Sequence, residues 1–155
     1  MAASNAPPPA VRPALRETPA VLYHDEYLTM TLEEGGALVR LTRTDRQFPD
    51  LAQLERIYDE VCRILDRLGR GGRGLLSDLR RAPGRNDPSF ESALHKVLPR
   101  LLTGFDRSAA CVATAVGGLQ LRRMSREGNI ERMVSTDELE LVRYLLRLDP
   151  PHEGA

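Results

Sequence analysis

The residues best suited to chemistry lie close together, just after a short apolar stretch. Arg80, Arg81 and Arg85 supply three guanidinium groups, and Asp87 and Ser89 follow them in the chain. Guanidinium groups bind phosphates and carboxylates, and a phosphate on Ser89 would face the free N–H groups of a helix start. The segment therefore predicts a site for an anion or an acidic partner, with Ser89 as a candidate phosphoacceptor.

The same residues also fit an ordinary solvated surface. The arginines can form ion pairs with Asp87 and Glu91, and exposed ion pairs of this kind contribute little to stability. Ser89 equally fits a plain serine in the first turn of a helix. The sequence alone leaves both interpretations open.

A predicted strand, loop and helix position these side chains. The apolar run that opens on Gly74 predicts a buried central strand over residues 74–80, and residues 82–86 have turn chemistry. Asp87 followed by Pro88 is typical of a helix start. Because α/β domains place their sites where strands end and helices begin, we expect a site at this junction.

A second helix start is predicted nearby. The small-residue run 109–116 predicts a buried strand, and Gly117 with Gly118 ends it and opens a short helix over residues 119–127. The two helix starts and the three arginines would then share one edge of the sheet, where an anion could bind.

The short helix is a candidate partner surface in its own right. Leu119, Leu121 and Met124 form no clean stripe, and arginines surround them: Arg122, Arg123 and Arg126. Apolar residues rimmed by arginine suit a protein interface. The alternative is a helix that covers the sheet and leaves one leucine exposed.

The remaining pattern predicts an α/β fold. A hairpin is indicated over residues 27–44, with a possible edge strand at 21–23, and helices are indicated over 50–68, 88–103 and after 135, with Pro99 kinking or splitting the second. We expect a mixed sheet of four to five strands, with an N-terminal β-hairpin and with helices packed on it. The expected organisation is a disordered Pro/Ala-rich tail (residues 1–19), one domain (20–149) and a short C-terminal tail (150–155).

Composition excludes several classes of function. Lys and Arg number 22 and Asp and Glu number 22, so bulk charge does not favour nucleic-acid binding. Cys62 and Cys111 lie in apolar stretches and predict core thiols rather than a disulfide or nucleophile. The histidines lack ligand spacing, so we expect no metal site, and no glycine-rich motif indicates a cofactor. Without a membrane span or secretory signal, the expected location is the cytoplasm.

Four stretches together carry a resemblance to a known family: YLTMTLEEGGALVRLTRT, GLLSDLRRAPGRNDPSFE, AVGGLQLRRMSREGN and ERMVSTDELELVRYLL. The chain resembles the STAS domain, and within it the SpoIIAA-like group related to anti-sigma-factor antagonists. The resemblance covers about residues 21–147. It implies a phosphorylatable serine in an Asp-Ser-Ser-Gly-like motif at the helix start. Here that neighbourhood contains Asp87 and Ser89, Asp78 matches the end of the strand, and the motif itself is absent.

The function expected from the resemblance is a non-enzymatic regulatory module of the bacterial cytoplasm that binds another protein. The contact surface would comprise the loop from Arg80 to Asp87, the start of the second helix, and the helix over 119–127. Self-association through the hairpin edge or the tail is a further expectation. The alternative is a domain that senses a small anion or nucleotide at the same sheet edge.

Overall fold

A computed structural model describes residues 18–85 and 87–148 of the 155-residue chain. The expected N-terminal tail lies outside the described residues except for Thr18 and Pro19, and the C-terminal tail lies outside them entirely. Asn86, in the loop before the second helix, is also outside them. The single domain expected over 20–149 therefore stays a prediction.

Six strands form one mixed sheet in sequence order, rather than the four to five expected. Both edge strands, β1 and β6, lie where the sequence indicated short strands, at residues 21–23 and 132–134, and both belong to the sheet. The first three strands pair antiparallel, and β3 to β6 run parallel. The strands are β1 (Ala20–His24), β2 (Leu28–Glu33), β3 (Leu38–Arg43), β4 (Gly74–Asp78), β5 (Arg107–Cys111) and β6 (Met133–Ser135).

Four helices follow β3, β4, β5 and β6 in turn. They are α1 (Leu51–Leu68), α2 (Pro88–Leu102), α3 (Ala115–Glu127) and α4 (Glu138–Leu145). Of the two outcomes expected at Pro99, a kink or a split, the split does not occur, because α2 runs through that residue without a break. The last helix, expected after residue 135, begins at Glu138 because Asp137 caps it, and its last residue is Leu145.

Local sequence chemistry explains the hairpin and the first helix. A short 3-10 turn over Glu34–Gly36 joins β2 to β3, and Gly35 and Gly36 take φ values of 63° and 93° there. Glycine adopts such positive φ values without steric cost. The Asp50 carboxylate accepts from the backbone N–H of Gln53 at 2.7 Å and caps α1. Both elements were predicted from the sequence.

The helices cover the two faces of the sheet unequally. The front face packs against α1 and α2, and the side chains that meet there include Val39, Leu41 and Leu75. Leu121 of α3 packs against Ala110 on this face. On the back face, α4 contacts β4, β5 and β6, where Leu141 and Leu145 lie against Leu76. The back face thus receives one helix, and that helix begins at the carboxyl ends of the parallel strands.

Candidate functional site at the carboxyl edge of the sheet

The sequence-predicted residues lie at the carboxyl ends of the parallel strands. The loop of residues 79–87 follows β4, residues 112–114 join β5 to α3, and Thr136 and Asp137 join β6 to α4. We use the name carboxyl-edge surface for the loop 79–87, the first turn of α2 and the outward side of α3. The structure therefore confirms that one sheet edge carries both the arginine loop and the α3 start.

Arg80 belongs to a chain of charges on the back face. Its Nε and Nη2 atoms lie 3.0 and 2.7 Å from the two carboxylate oxygens of Asp78. The same Nη2 atom lies 3.2 Å from Glu138, and the other oxygen of Glu138 accepts from Arg40 at 2.5 Å. Arg40 also donates to Glu33 at 2.6 Å. Arg80 is therefore neutralised by carboxylates of this chain, and it holds the start of α4 against the sheet.

The same contacts make Asp78 a poor general base. Burial raises the pKa of its carboxyl, but hydrogen bonds from Arg80 and the positive charge of that residue outweigh burial and lower the pKa overall. Asp78 in turn raises the pKa of Arg80. A carboxylate that is held ionised by a bidentate guanidinium binds a proton weakly, so its position fits a structural role better than proton transfer.

Arg85 and Asp87 form a second closed pair. Arg85 donates from Nε and Nη2 to the two Asp87 oxygens at 2.9 and 3.0 Å, and its guanidinium lies 4.6 Å above the Phe90 ring. The Asp87 carboxylate also accepts from the Phe90 N–H and caps α2, and the Arg85 contact lowers its pKa. Arg85 therefore fixes the helix start. Ser89, in the first turn of α2, is exposed to solvent.

Arg81 differs from Arg80 and Arg85 because it makes no close ion pair. Its side chain is 69% exposed, and its closest carboxylate oxygen, on Asp45, lies 3.9 Å away. A contact of that length at an exposed site contributes almost nothing. Arg80 is also partly exposed, but its guanidinium is bound to Asp78 and Glu138. Of the three arginines proposed as anion ligands, Arg81 is thus the one whose charge is not matched by a nearby carboxylate of this chain.

The start of α3 differs from the sequence prediction. Strand β5 ends at Cys111, and the helix begins at Ala115 instead of after Gly118. The Thr114 hydroxyl accepts from the Gly117 N–H at 3.0 Å, so Thr114 is the cap. Gly117 and Gly118 consequently lie inside the first turn, and their N–H groups bond to Thr114 rather than pointing at a ligand. The predicted glycine-based helix start is wrong.

The outward side of α3 carries the most exposed apolar residue of those described. Val116 is 75% exposed and Leu119 is 63% exposed, whereas Met124 is buried against the sheet. Sequence reasoning selected Leu119 but placed Val116 in a strand. A threonine cap at residue 114 was the signal for the earlier helix start.

The arginines of α3 have three different environments. Arg122 donates to the Val134 carbonyl at 2.7 Å, and Arg123 contacts Glu91 at 2.9 Å and Glu127 at 3.1 Å. Within the part of the chain that the structure describes, Arg126 is exposed and makes no ion pair. The Ser135 carbonyl points toward β5, where it accepts from the Val112 N–H. Successive carbonyls of a strand point in opposite directions, so the Val134 carbonyl points away from β5. By binding that carbonyl, Arg122 covers the outer edge of β6.

Clefts also occur away from this edge. One of about 280 Å³ lies between α1 and α2 and is lined by Tyr58, Cys62 and Lys96, among others. A larger one of about 550 Å³ lies at the amino end of β5, where the Arg107 guanidinium stacks 4.6 Å from the Tyr144 ring. Neither contains the arginine loop or the exposed residues of α3.

The cysteines are buried, as the sequence predicted. Cys62 and Cys111 are free thiols, and burial raises the pKa of both. A thiol with a raised pKa is a weak nucleophile. Among residues 18–85 and 87–148, no cluster of three or more His, Cys, Asp or Glu side chains is placed to hold a metal ion. No helix in these ranges is both long and apolar enough to cross a bilayer.

Comparisons with known proteins identify no relative: no family model, no curated protein and no solved structure matches this chain.

Proposed function

We propose that this chain is a non-enzymatic, STAS-type regulatory module of the bacterial cytoplasm, and that it binds another protein through its carboxyl-edge surface. The observation that carries the proposal is the exposure of Val116 and Leu119 beside the arginine loop. Burying a side chain of this size contributes about 1.5–3 kcal/mol, which favours a protein partner over solvent.

The charged groups of the edge support the same proposal. Arg80 and Arg85 bind carboxylates of this chain, so their role is to hold α4 and α2 in place. The small-anion alternative draws less support, because only Arg81 of the three arginines lacks a close ion pair within this chain. Ser89 stays a candidate phosphoacceptor: it is exposed in the first turn of α2, where added negative charge is favourable.

We expect Leu119→Asp to weaken capture of the partner by about 10- to 100-fold, since a charged side chain would replace a buried leucine at the interface. The measurement is affinity capture from lysate followed by titration of the captured protein. Leu148→Asp is a matched control, because Leu148 is 65% exposed and follows α4 at the opposite end of the sheet.

Arg81→Glu tests the loop separately, and it is cleaner than Arg85→Glu. A glutamate at position 85 would repel the Asp87 cap and disturb α2, whereas Arg81 has no close contact to lose. Retention of every captured protein by both Leu119→Asp and Arg81→Glu, with circular dichroism unchanged, would show that this surface is not the binding site.

A further inference from the structure

The outward side of α3 is a continuous stripe at helical spacing. Val116, Leu119, Arg123 and Arg126 follow one another at intervals of three or four residues, so they share one side of the helix. The opposite side is buried, where Gly118, Met124 and Ser125 face the sheet and the neighbouring strands. We call these four outward residues the α3 stripe. It is apolar in the first half of the helix and cationic in the second.

The charged side chains of this region leave one net positive charge. Three arginines, Arg122, Arg123 and Arg126, face two glutamates, Glu91 and Glu127, and both glutamates contact Arg123. Arg126 makes no ion pair with any described residue, and Arg122, next to the stripe, donates to the Val134 carbonyl. Arg126 and Arg122 are therefore the cationic groups that border the two exposed apolar side chains without a carboxylate partner of their own.

We propose that the α3 stripe binds an acidic amphipathic segment of the partner protein. The apolar side chains of that segment cover Val116 and Leu119, and its carboxylates pair with Arg126 and Arg122. This inference rests on the proposed function and adds the chemistry of the partner. The charge complementarity selects an acidic segment over a basic or neutral one, because a basic segment would meet unpaired guanidinium groups.

The test uses two synthetic helical peptides of about four turns each. Both carry leucines at intervals of three and four residues. The first peptide has glutamate at its flanking positions, and the second has lysine there. Binding of each labelled peptide to the full chain is measured by fluorescence anisotropy. We expect saturable binding of the glutamate peptide, at least about tenfold tighter than that of the lysine peptide, and weaker at high salt.

Two variants identify the site. Leu119→Asp should weaken binding of the glutamate peptide by about tenfold or more, and Leu148→Asp should leave it unchanged. Arg126→Glu should weaken the glutamate peptide and strengthen the lysine peptide, because it reverses the charge that borders the stripe. Arg126 has no ion pair to lose within the described ranges, but it lies in the last turn of α3, so we expect a small loss of stability and an unchanged fold by circular dichroism.

Equal binding of the two peptides, no saturable binding of either, or insensitivity to Leu119→Asp would overturn the inference. Such a result is distinguishable from failure of the proposed function. If a captured partner still depends on Leu119 or Arg81, the chain binds a protein and only the acidic chemistry is wrong. If no captured partner depends on either residue, the proposed function fails as well.

Discussion

Gly74→Val is expected to destabilise the chain by about 2–3 kcal/mol, because it would force α4 away from the sheet. Gly74 begins β4 on the back face and is fully buried. A Cβ atom at this position would lie 3.0 Å from Leu145 Cβ and 3.4 Å from the Leu145 carbonyl oxygen. Valine adds two further methyl groups toward the same helix. Urea unfolding followed by circular dichroism measures the loss.

Gly71→Ala is the matched control for this prediction. No atom lies within 4 Å of a Cβ at Gly71, and its φ is not positive, so we expect a change within about 0.5 kcal/mol. Combining Gly74→Val with Leu145→Ala should cost somewhat less than the sum of the two single changes, because alanine removes Leu145 Cδ2, which would lie 3.2 Å from the new Cβ atom, although it keeps Cβ and the carbonyl oxygen. Strict additivity, or a harmless Gly74→Val, would mean that α4 does not pack as closely as described.

A cluster of two guanidinium groups and one phenol lies buried on the front face. Arg43 donates to the backbone carbonyls of Tyr27 and Arg46, and Arg132 donates to Ser125 at 2.9 Å. The Nη2 atom of Arg132 is buried and has no hydrogen-bond partner among the described residues. Burial lowers the pKa of Arg132 to about 10, so the group is still charged at neutral pH. Sequence reasoning did not identify this cluster.

Tyr58 is a buried phenol close to both guanidinium groups. Burial raises the pKa of its phenol, and the charges of Arg43 and Arg132 act in the opposite direction. We expect Tyr58→Phe to destabilise the chain by about 1–3 kcal/mol, since it removes a polar hydroxyl near two buried cations. Arg132→Met is expected to change stability by less than about 1 kcal/mol, because it also removes the uncompensated charge. Both are measured by urea unfolding.

The two changes should also be coupled. In an Arg132→Met background, Tyr58→Phe is expected to cost less than it does alone, because only Arg43 then remains beside the ring. A larger loss from Arg132→Met than from Tyr58→Phe would contradict this description, since it would mean that Arg132 makes a strong interaction beyond its contact with Ser125.

Local chemistry made most of the fold predictable. The Gly35–Gly36 turn, the Asp50 cap and the Asp87–Pro88 helix start each depend on a few neighbouring residues, and each is where the sequence placed it. The boundary between β5 and α3 was missed. Apart from Thr114, the run 109–116 is small and apolar, and such a run has no period that separates a strand from a helix, so the threonine cap was the one local signal. The structure divides it at Val112 to Thr114.

The contacts of the candidate site also include some that the sequence could predict and some that it could not. The Arg80–Asp78 and Arg85–Asp87 pairs join residues two positions apart, so their formation could have been expected from spacing. The link from Arg40 to Glu138 joins residues 98 positions apart, and it exists because α4 returns to the back face of the sheet. No local pattern contains that contact. No local pattern predicts the exposure of Arg81 either, because it depends on Arg80 and Arg85 binding the nearby carboxylates in the folded chain.

The most direct test of partner binding at the carboxyl edge is amide hydrogen exchange on the chain, with and without its captured partner. We expect added protection in α3 from Ala115 to Glu127 and in the loop over residues 79–87, with β1 unchanged. Protection confined to β1 or to the amino end of β5, with α3 exchanging as in the free chain, would contradict it.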